Sequence, residues 1–275
     1  MDVVLLTLDD GPGCAHPRVP VLACRDALTA SGAGVSLVTA RSDLEIDAAL
    51  DLPSRLVVGA ASDAQLRAVL RRLVRRYAPR PADRPGTLPP DRTVPDLPAI
   101  GVLGMGATLV ASLDLPGTPE EVAKAVLAGQ VRRLDLLRND AGSVTLHGTL
   151  LGGESAFAAR VDVDDAVLSD GREQLTAVVV SNAARYASAD DVPLTPQADA
   201  TDGRLDDAVA LPVTVRDRWG RRRARIEVRR AHGRAVAVAP QDGVPFTDDG
   251  VAGTLSSKRT WWMERSAWAA YVTSG

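Results

Sequence analysis

The chain has 275 residues, a formal net charge of −3 and an apolar fraction of 45%. This length favours two domains with buried cores, and because charges of both signs are interspersed, nothing in the composition indicates nucleic-acid binding. No run of about 18 apolar residues and no basic N-terminal segment occurs, so neither a membrane span nor a signal peptide is predicted and the expected location is cytoplasmic.

The first part of the chain alternates predicted strands and helices. Apolar runs predict strands at 3–8, 35–39, 56–59 and 100–103, and helical spacing predicts helices at 19–30 and 64–77. This order is typical of a parallel sheet covered by helices. Seven prolines between Pro79 and Pro98 predict an irregular, exposed segment before the fourth strand.

A further helix is signalled after residue 117, and the pattern then changes. Thr118, Pro119 and Glu121 form the N-cap, first turn and capping box of a helix that Gly129 ends. Beyond residue 131 the apolar period is two, which predicts strands at 143–149, 158–163, 175–181, 208–215, 223–230 and 235–239. We therefore expect an α/β fold plus an all-β part: a Rossmann-like parallel α/β domain over 1–117 and a β-sandwich-like domain over 118–275.

The first motif with chemical meaning is LTLDDGP at residues 6–12. It resembles the TFDDGP motif of polysaccharide deacetylases, in which one aspartate acts as a base and the other helps to hold a metal ion. That metal site needs imidazole ligands, and His16, His147 and His232 show no paired spacing. A strand followed by a turn explains the same residues, so the deacetylase interpretation is disfavoured.

A second resemblance covers most of the chain. Residues 100–106 (IGVLGMG), 113–116 (LDLP), 118–128 (TPEEVAKAVLA) and 132–136 (RRLDL) follow one another in the chain. They resemble, in order and spacing, the GTGND loop, LGLP-like segment, DPEEA-type helix and RxIDLGR strand of the diacylglycerol kinase catalytic-domain family. The sequence is similar to the bacterial lipid kinases of that family, which act on diacylglycerol or sphingoid bases.

The resemblance extends in both directions from this stretch. Upstream, Asp63 falls on the acidic position of the GGDGT motif, the loop from Asp9 to Gly13 takes the place of the NPxSG loop, and Thr39 matches the threonine that ends the second strand. Downstream, SN at 181–182, PLTP at 193–196 and DGRLD at 202–206 resemble the GNG, PLAP and DGxLD segments. Asp249 lies where a DGE motif is expected.

The resemblance implies a function and a set of site residues. ATP and Mg²⁺ would bind between the domains, the last segment would return to the first domain, and a hydroxyl of diacylglycerol or another lipid alcohol would be phosphorylated. Glycine loops suit this chemistry because the backbone N–H groups can approach phosphates without a Cβ in the way. The implied catalytic residue is Asp63, the implied nucleotide-binding residues are Asp9, Gly11, Gly13, Thr39, Ser62 and Gly106, and the implied metal ligand is Asp249.

The sequence departs from the family pattern at three of these motifs: GGDGT, GTGND and DGE. The residues that flank Asp63 in place of the family's glycines and threonine are Ala61, Ser62, Ala64 and Gln65. Gly106 is followed by no Asn-Asp pair, and Val251 replaces the glutamate of DGE. Ser62 to Gln65 also forms an S-x-x-Q capping box, which explains Asp63 without a substrate. Two alternatives therefore stay open: a lipid kinase, and a non-catalytic, pseudokinase-like binding or regulatory module on the same scaffold.

The sequence also leaves the partners open. Arginine-rich runs at 71–76 and 221–223 predict solvated faces, with peripheral contact at the anionic inner face of a membrane as the alternative. If the chain forms an oligomer, we expect a homodimer. Neither expectation rests on a specific motif.

Overall fold

A computed structural model of the chain describes residues 1–9, 18–153, 155–189, 191–216 and 222–273. The chain forms two compact units: unit 1 is Met1–Leu134 with Ser266–Gly275, and unit 2 is Asp135–Arg265. Unit 1 combines parallel strands with helices, whereas the described part of unit 2 contains strands and no helix. The predicted fold class, α/β followed by β, is confirmed at this level.

Unit 1 is built on parallel strands. Its elements are β1 (Asp2–Leu8), α1 (Val19–Ala30), β2 (Gly34–Ala40), α2 (Asp43–Leu50), β3 (Arg55–Ala60), α3 (Asp63–Tyr77), a 3-10 turn (Pro81–Asp83), β4 (Ala99–Gly104), α4 (Leu109–Ser112) and α5 (Pro119–Ala128). The strand order is β2-β1-β3-β4, and all three pairings are parallel. Near the end of the chain, Ala269 and Ala270 pair in parallel with the start of β4.

Helices α1 and α5 cover the same apolar cluster of unit 1. Leu5 of β1, Leu28 of α1 and Val126 of α5 are fully buried there. Helix α5 begins with the predicted capping box, in which Thr118 Oγ1 accepts from Glu121 N at 3.2 Å and the Glu121 carboxylate accepts from Thr118 N at 3.0 Å. Gly129 ends the helix at φ 71, so both predicted ends of this helix are confirmed.

The sequence analysis did not predict helix α2. Its signal is the Ser42-x-x-Glu45 pattern: Ser42 Oγ accepts from Glu45 N at 3.3 Å, and the Glu45 carboxylate accepts from Arg41 N at 2.6 Å. Acidic side chains of α2 pair with the arginines of α3: Arg71 donates to Asp43, and Arg72 donates to Asp47. Part of the arginine run at 71–76 is therefore occupied by contacts inside unit 1.

Unit 2 is antiparallel. Its strands, with β5 and β18 shared with unit 1, are β5 (Val131–Asn139), β6 (Val144–Thr145), β7 (Gly148–Leu151), β8 (Phe157–Val163), β9 (Ala166–Leu175), β10 (Ala177–Ser181), β11 (Ser188–Ala189), β12 (Val192–Pro193), β13 (Leu205–Arg216), β14 (Arg222–Gly233), β15 (Ala235–Pro240), β16 (Val244–Asp248), β17 (Val251–Leu255) and β18 (Arg259–Tyr271). One sheet has the order β14-β13-β10-β7-β16-β17. In another group, β15 pairs with β8 and with the first part of β18, and β8 pairs with β9.

The main apolar cluster of unit 2 takes side chains from both groups of strands. It includes Val180 of β10, Val209 of β13, Val236 of β15 and Trp261 of β18, all at most 1% exposed. This burial accounts for the period-two pattern of the sequence, because alternate side chains of each strand enter the cluster. None of the helices in the described ranges is long and apolar enough to cross a membrane.

Candidate functional site at the carboxyl edge of the parallel sheet

Five of the predicted site residues lie at one edge of the unit 1 sheet. Asp9 directly follows β1, Thr39 is the penultimate residue of β2, Ser62 and Asp63 follow β3 at the start of α3, and Gly106 follows β4. Because β1 to β4 are parallel, these positions share the edge formed by the strands' carboxyl ends. Ligands of open α/β sheets bind at this edge.

Asp63 connects the loop after β3 with the loop after β4. Its Oδ2 accepts a hydrogen bond from Thr108 Oγ1 at 2.6 Å, and its Oδ1 accepts one from the backbone N–H of Leu109 at 3.0 Å. Both donors stand at the beginning of α4. The carboxylate therefore caps the short helix α4.

The predicted S-x-x-Q capping box at the start of α3 is wrong. Ser62 has the extended backbone of an N-cap, but its side chain accepts no capping hydrogen bond. Gln65 instead reaches past Ser62: its Oε1 accepts from Ala61 N at 2.8 Å, and its Nε2 donates to Leu8 O at 3.3 Å. The glutamine holds the ends of β1 and β3 together, a role that depends on the tertiary fold.

Gly106 is required by the close approach of the same two loops. Its φ is 142, a conformation that L side chains rarely adopt, and a Cβ at this position would lie 2.8 Å from Ala61 O. Beside it, Met105 N donates to Ala60 O at 2.8 Å. Packing between the loops thus explains this glycine without a phosphate.

Of the other residues predicted to bind nucleotide, Asp9 and Thr39 lie within the described part of the chain. Arg41 Nε donates to Asp9 Oδ2 at 3.2 Å, and Thr39 Oγ1 lies 3.1 Å from Thr7 Oγ1. Gly11 and Gly13 lie outside the described residues. The predicted roles of all these residues in nucleotide binding stay predictions.

Asp249, the predicted metal ligand, lies in unit 2 and is fully buried. Its Oδ1 accepts from the backbone N–H groups of His147 at 2.9 Å and Gly148 at 3.1 Å, and its Oδ2 accepts from Leu146 N at 2.6 Å. Burial, and next the neighbouring charge of Asp248, raise the pKa of Asp249, while the three backbone hydrogen bonds act in the opposite direction.

The described residues contain no group of three or more His, Cys, Asp or Glu side chains arranged to hold a metal ion. The carboxylate of Asp249 instead organises the turn between β6 and β7. Its role as a metal ligand stays a prediction.

Other residues of the family-like motifs form backbone contacts inside unit 2. Asn182 Nδ2 donates to Asp135 O at 3.0 Å and to Leu146 O at 2.8 Å, and Asp135 Oδ2 accepts from Gly203 N at 2.7 Å. These residues belong to the SN, RRLDL and DGRLD segments. Their contacts tie separate strands and turns together, which is a structural reason for these residue types.

Asp207 is a buried acid that sequence reasoning did not single out. It is 0% exposed, and neither carboxylate oxygen has a hydrogen-bond partner. Asp207 pairs across the sheet with Val180 and Ala231, which both pack in the main apolar cluster of unit 2. Directly opposite residues share a face, so Asp207 lies on the apolar face of its sheet. In the sequence Asp207 directly follows Asp206, and only the strand register shows which of the two side chains lies on the apolar face.

Comparison with known proteins shows the fold class. No protein-family model matches the sequence, and no curated protein matches it. The fold is that of diacylglycerol kinase-like structures along nearly the whole chain.

Three solved structures from Bacillus anthracis str. Sterne are similar to this chain. One, a diacylglycerol kinase, has a TM-score of 0.65 at 12% identity, covering 98% of this chain and 96% of its own. A candidate diacylglycerol kinase has a TM-score of 0.68 at 13% identity, with coverage of 98% and 96%. Another candidate has a TM-score of 0.67 at 12% identity, with coverage of 98% and 97%. At such identities the likeness shows the shared fold.

Proposed function

We propose that this chain is an ATP-dependent lipid kinase, which binds Mg-ATP at the carboxyl edge of the unit 1 sheet and phosphorylates a hydroxyl of diacylglycerol or a related lipid alcohol. One observation carries the proposal. The likeness to a diacylglycerol kinase covers 98% of the chain, and within that fold Asp63 and Gly106 stand on adjoining loops at the edge where such sheets bind ligands.

The described residues of this edge fit a phosphate-bearing ligand in one respect. Ser62 makes no side-chain capping bond at the start of α3, a helix of 15 residues. The N-terminus of a helix offers backbone N–H groups and partial positive charge to phosphate oxygens. When bound, Mg-ATP would supply the phosphoryl group and the cation that neutralises its charge.

Asp63 has the proposed catalytic role. Its carboxylate would accept the proton of the lipid hydroxyl as that oxygen attacks, and the hydrogen bonds from Thr108 and Leu109 would hold it in position. Gly106 would let the loop after β4 remain close to the loop after β3. The protein's contribution would then be positioning and charge stabilisation, which dominate phosphoryl transfer.

A second candidate is a non-catalytic binding or regulatory module, and one specific observation favours it. Both carboxylate oxygens of Asp63 already accept hydrogen bonds from the start of α4. A substrate hydroxyl would have to compete with these donors for the carboxylate oxygens. Ala61 and Ala64, in place of the family's glycines, also leave less room for phosphates. In this alternative the chain retains the fold of the kinases but not their catalytic activity.

Two measurements separate these candidates. Radiolabelled phosphate transfer from Mg-ATP to diacylglycerol or sphingosine in mixed micelles tests catalysis, with Asp63→Asn compared with wild type and with the surface control Asp165→Asn. If Asp63 is the base, we expect Asp63→Asn to lower kcat by about 100-fold or more, and the control to retain the wild-type rate. Equal activity of the Asp63 variant and wild type would remove Asp63 from the mechanism.

Thermal denaturation with Mg-ATP tests binding apart from catalysis. Ligand at 100 times its Kd should stabilise the folded chain by about 2.7 kcal/mol. Stabilisation without phosphate transfer supports the non-catalytic module. If Mg-ATP neither stabilises the chain nor supports phosphate transfer, the kinase proposal is contradicted and the non-catalytic module is favoured.

A further inference from the structure

Strand β2 is the end strand of the parallel sheet in unit 1. It pairs with β1 along its whole length, and no other described strand pairs with it. Gly34 N donates to Met1 O at 3.0 Å, and Ala40 O accepts from Asp9 N at 3.0 Å, so the even-numbered residues of β2 direct their backbone groups to β1. Backbone groups alternate in direction along a strand. The N–H and C=O groups that point away from the sheet are therefore those of Val35, Leu37 and Thr39.

This outer edge of β2 is open to solvent. Ser36, Leu37 and Thr39 are exposed, and the exposed fraction of Leu37 is 38%. Within the described part of the chain, no donor or acceptor bonds to the outward backbone groups. An extended strand with such unpaired groups is a template for a further strand.

Strands β9, β14 and β17 also have a neighbour on one side only, and each has a feature that hinders pairing with another chain. Strand β9 carries Asp170, Arg172 and Glu173, and its register against β8 is irregular. Strand β14 contains five arginines, and β17 has only 5 residues with Gly253 at its centre. Strand β2 has 7 residues, no charge, no proline and a continuous register with β1. Its edge therefore lacks the usual protection against strand pairing.

We propose that β2 pairs in antiparallel orientation with β2 of a second copy of this chain and so joins two unit 1 sheets in a homodimer. Leu37 is the middle residue of β2. A twofold axis at Leu37 sets the two Leu37 residues opposite each other and sets Val35 opposite Thr39 of the second copy. In this register every outward backbone group of β2 is paired, because each pair of opposite residues exchanges both of its hydrogen bonds.

The charges beside the strand favour a second copy as the partner. Because β2 has no charged residue, no like charges meet at the axis. Ala27 of α1 packs in the apolar cluster that α5 shares, and Arg25, two residues away, lies on the opposite side of the helix, towards the β2 edge. Arg25 and Asp26 are 39% and 65% exposed and pair with each other. The twofold axis makes the two α1 helices antiparallel, so Arg25 of each copy approaches Asp26 of the other.

The surface at this edge is also large enough for a dimer. The connections from β1 to β2 and from β2 to β3 cross the sheet in opposite directions, so right-handed crossovers place α1 and α2 on opposite faces. Seven strand residues give an edge about 23 Å long, and helix, sheet and helix together are about 30 Å thick. Such an edge presents on the order of 700 Å² per copy, close to the roughly 800 Å² of a standard interface.

Sedimentation equilibrium of the full chain, from about 1 to 100 µM, tests the proposal. We expect the mass of the wild type to rise with concentration from that of the 28.9 kDa monomer towards the dimer. Leu37→Lys sets two like charges opposite each other and removes an apolar contact, so it should weaken dimerisation by about tenfold or more. The matched control is Val251→Lys on the end strand β17, where the exposed fraction is 39%, and it should change the dimer Kd by less than about twofold.

Cross-linking tests the register directly and does not depend on the lysine variant. Directly opposite residues of an antiparallel pair have Cα atoms about 5.5 Å apart, within the range that a disulfide spans. Mild oxidation of Leu37→Cys should therefore give a covalent dimer on a non-reducing gel, whereas Val251→Cys should not. Both variants retain the native Cys14 and Cys24, so any cross-link through these residues appears equally in the two.

Circular dichroism establishes that each variant is folded, and if Leu37→Lys is not, the cross-link decides. A wild type that stays monomeric up to about 100 µM overturns the proposal and leaves the β2 edge to a different protein or to none. The proposal is also overturned if folded Leu37→Lys dimerises as the wild type does, if Val251→Lys weakens the dimer equally, or if the two cysteine variants cross-link alike. None of these measurements involves nucleotide or phosphate transfer, so they are independent of the kinase proposal.

Discussion

In unit 1, the carboxylate of Asp63 lies at the edge of a parallel sheet and accepts hydrogen bonds from a hydroxyl and a backbone N–H, whereas in unit 2 Asp207 and Asp249 are fully buried among antiparallel strands. Asp249 accepts three backbone hydrogen bonds, and Asp207 accepts none. A parallel sheet collects polar loop residues at its carboxyl edge, where ligands can reach them. Because Asp207 and Asp249 are buried, we expect their substitution to change stability.

The largest effect that tests this contrast is expected from Asp249→Ala. The substitution leaves three buried backbone N–H groups without acceptors, and we expect it to lower the free energy of unfolding by about 3 kcal/mol or more. Asp249→Asn keeps an acceptor oxygen and tolerates the positive φ of this position, so its loss should be about half as large. Urea denaturation followed by circular dichroism measures both. A loss below that of Asp249→Asn would contradict the structural role.

A smaller effect is expected in unit 1 from Gly106→Ala. The added methyl group meets Ala61 O at 2.8 Å in a backbone conformation unfavourable for alanine, and we expect a loss of about 2 kcal/mol. Gly86→Ala is the matched control, because nothing lies within 4 Å of its added Cβ. Its stability should change by less than about 0.5 kcal/mol. Similar values for the two variants would show that the loops after β3 and β4 are not closely packed.

The smallest effect concerns the pH dependence caused by Asp207. Burial, and next the charge of Asp206, raise the pKa of Asp207 well above its ordinary value of 3.8. For an acid with a raised folded-state pKa, the stabilising contribution is complete below the unfolded pKa and is lost as pH rises through the folded pKa. The wild type should therefore lose stability as pH rises above about 4.

Asp207→Asn removes this titration. We expect it to be more stable than wild type by about 1 kcal/mol at pH 8 and to lose that advantage near pH 4. Unfolding measured across this pH range tests the difference, and the exposed Asp165→Asn should leave the wild-type curve unchanged. If Asp207→Asn and wild type show parallel curves, Asp207 titrates normally and the contrast between its environment and that of Asp63 is weaker than the contacts indicate.

Local sequence signals predicted much of the fold. The capping box of Thr118 and Glu121 and the glycine at 129 defined α5, because all of their partners lie within a few residues. The same signal was present at Ser42 for α2 and was missed, since that helix has only 8 residues. At Ser62 the signal was misleading, because Gln65 bonds to Ala61 and Leu8 instead.

The candidate site was predicted in position but not in its contacts. Strand order placed Asp63 and Gly106 at the same edge, and the structure has them there. One partner of Asp63, however, is Thr108, 45 residues away, and no local pattern identifies it. Gln65 was likewise interpreted as a cap, although its side chain joins two strands.

By itself, the sequence determined the strand and helix periodicity, the order of an α/β part before a β part, and the ends of α5, because these depend on neighbours within one or two turns of chain. Only the tertiary structure decided that Asp63 caps α4 and that Asp207 lies on an apolar face of its sheet. Each of these depends on register or packing between segments distant in the chain. A change of one position in strand register would move Asp207 to the opposite face without altering a single residue.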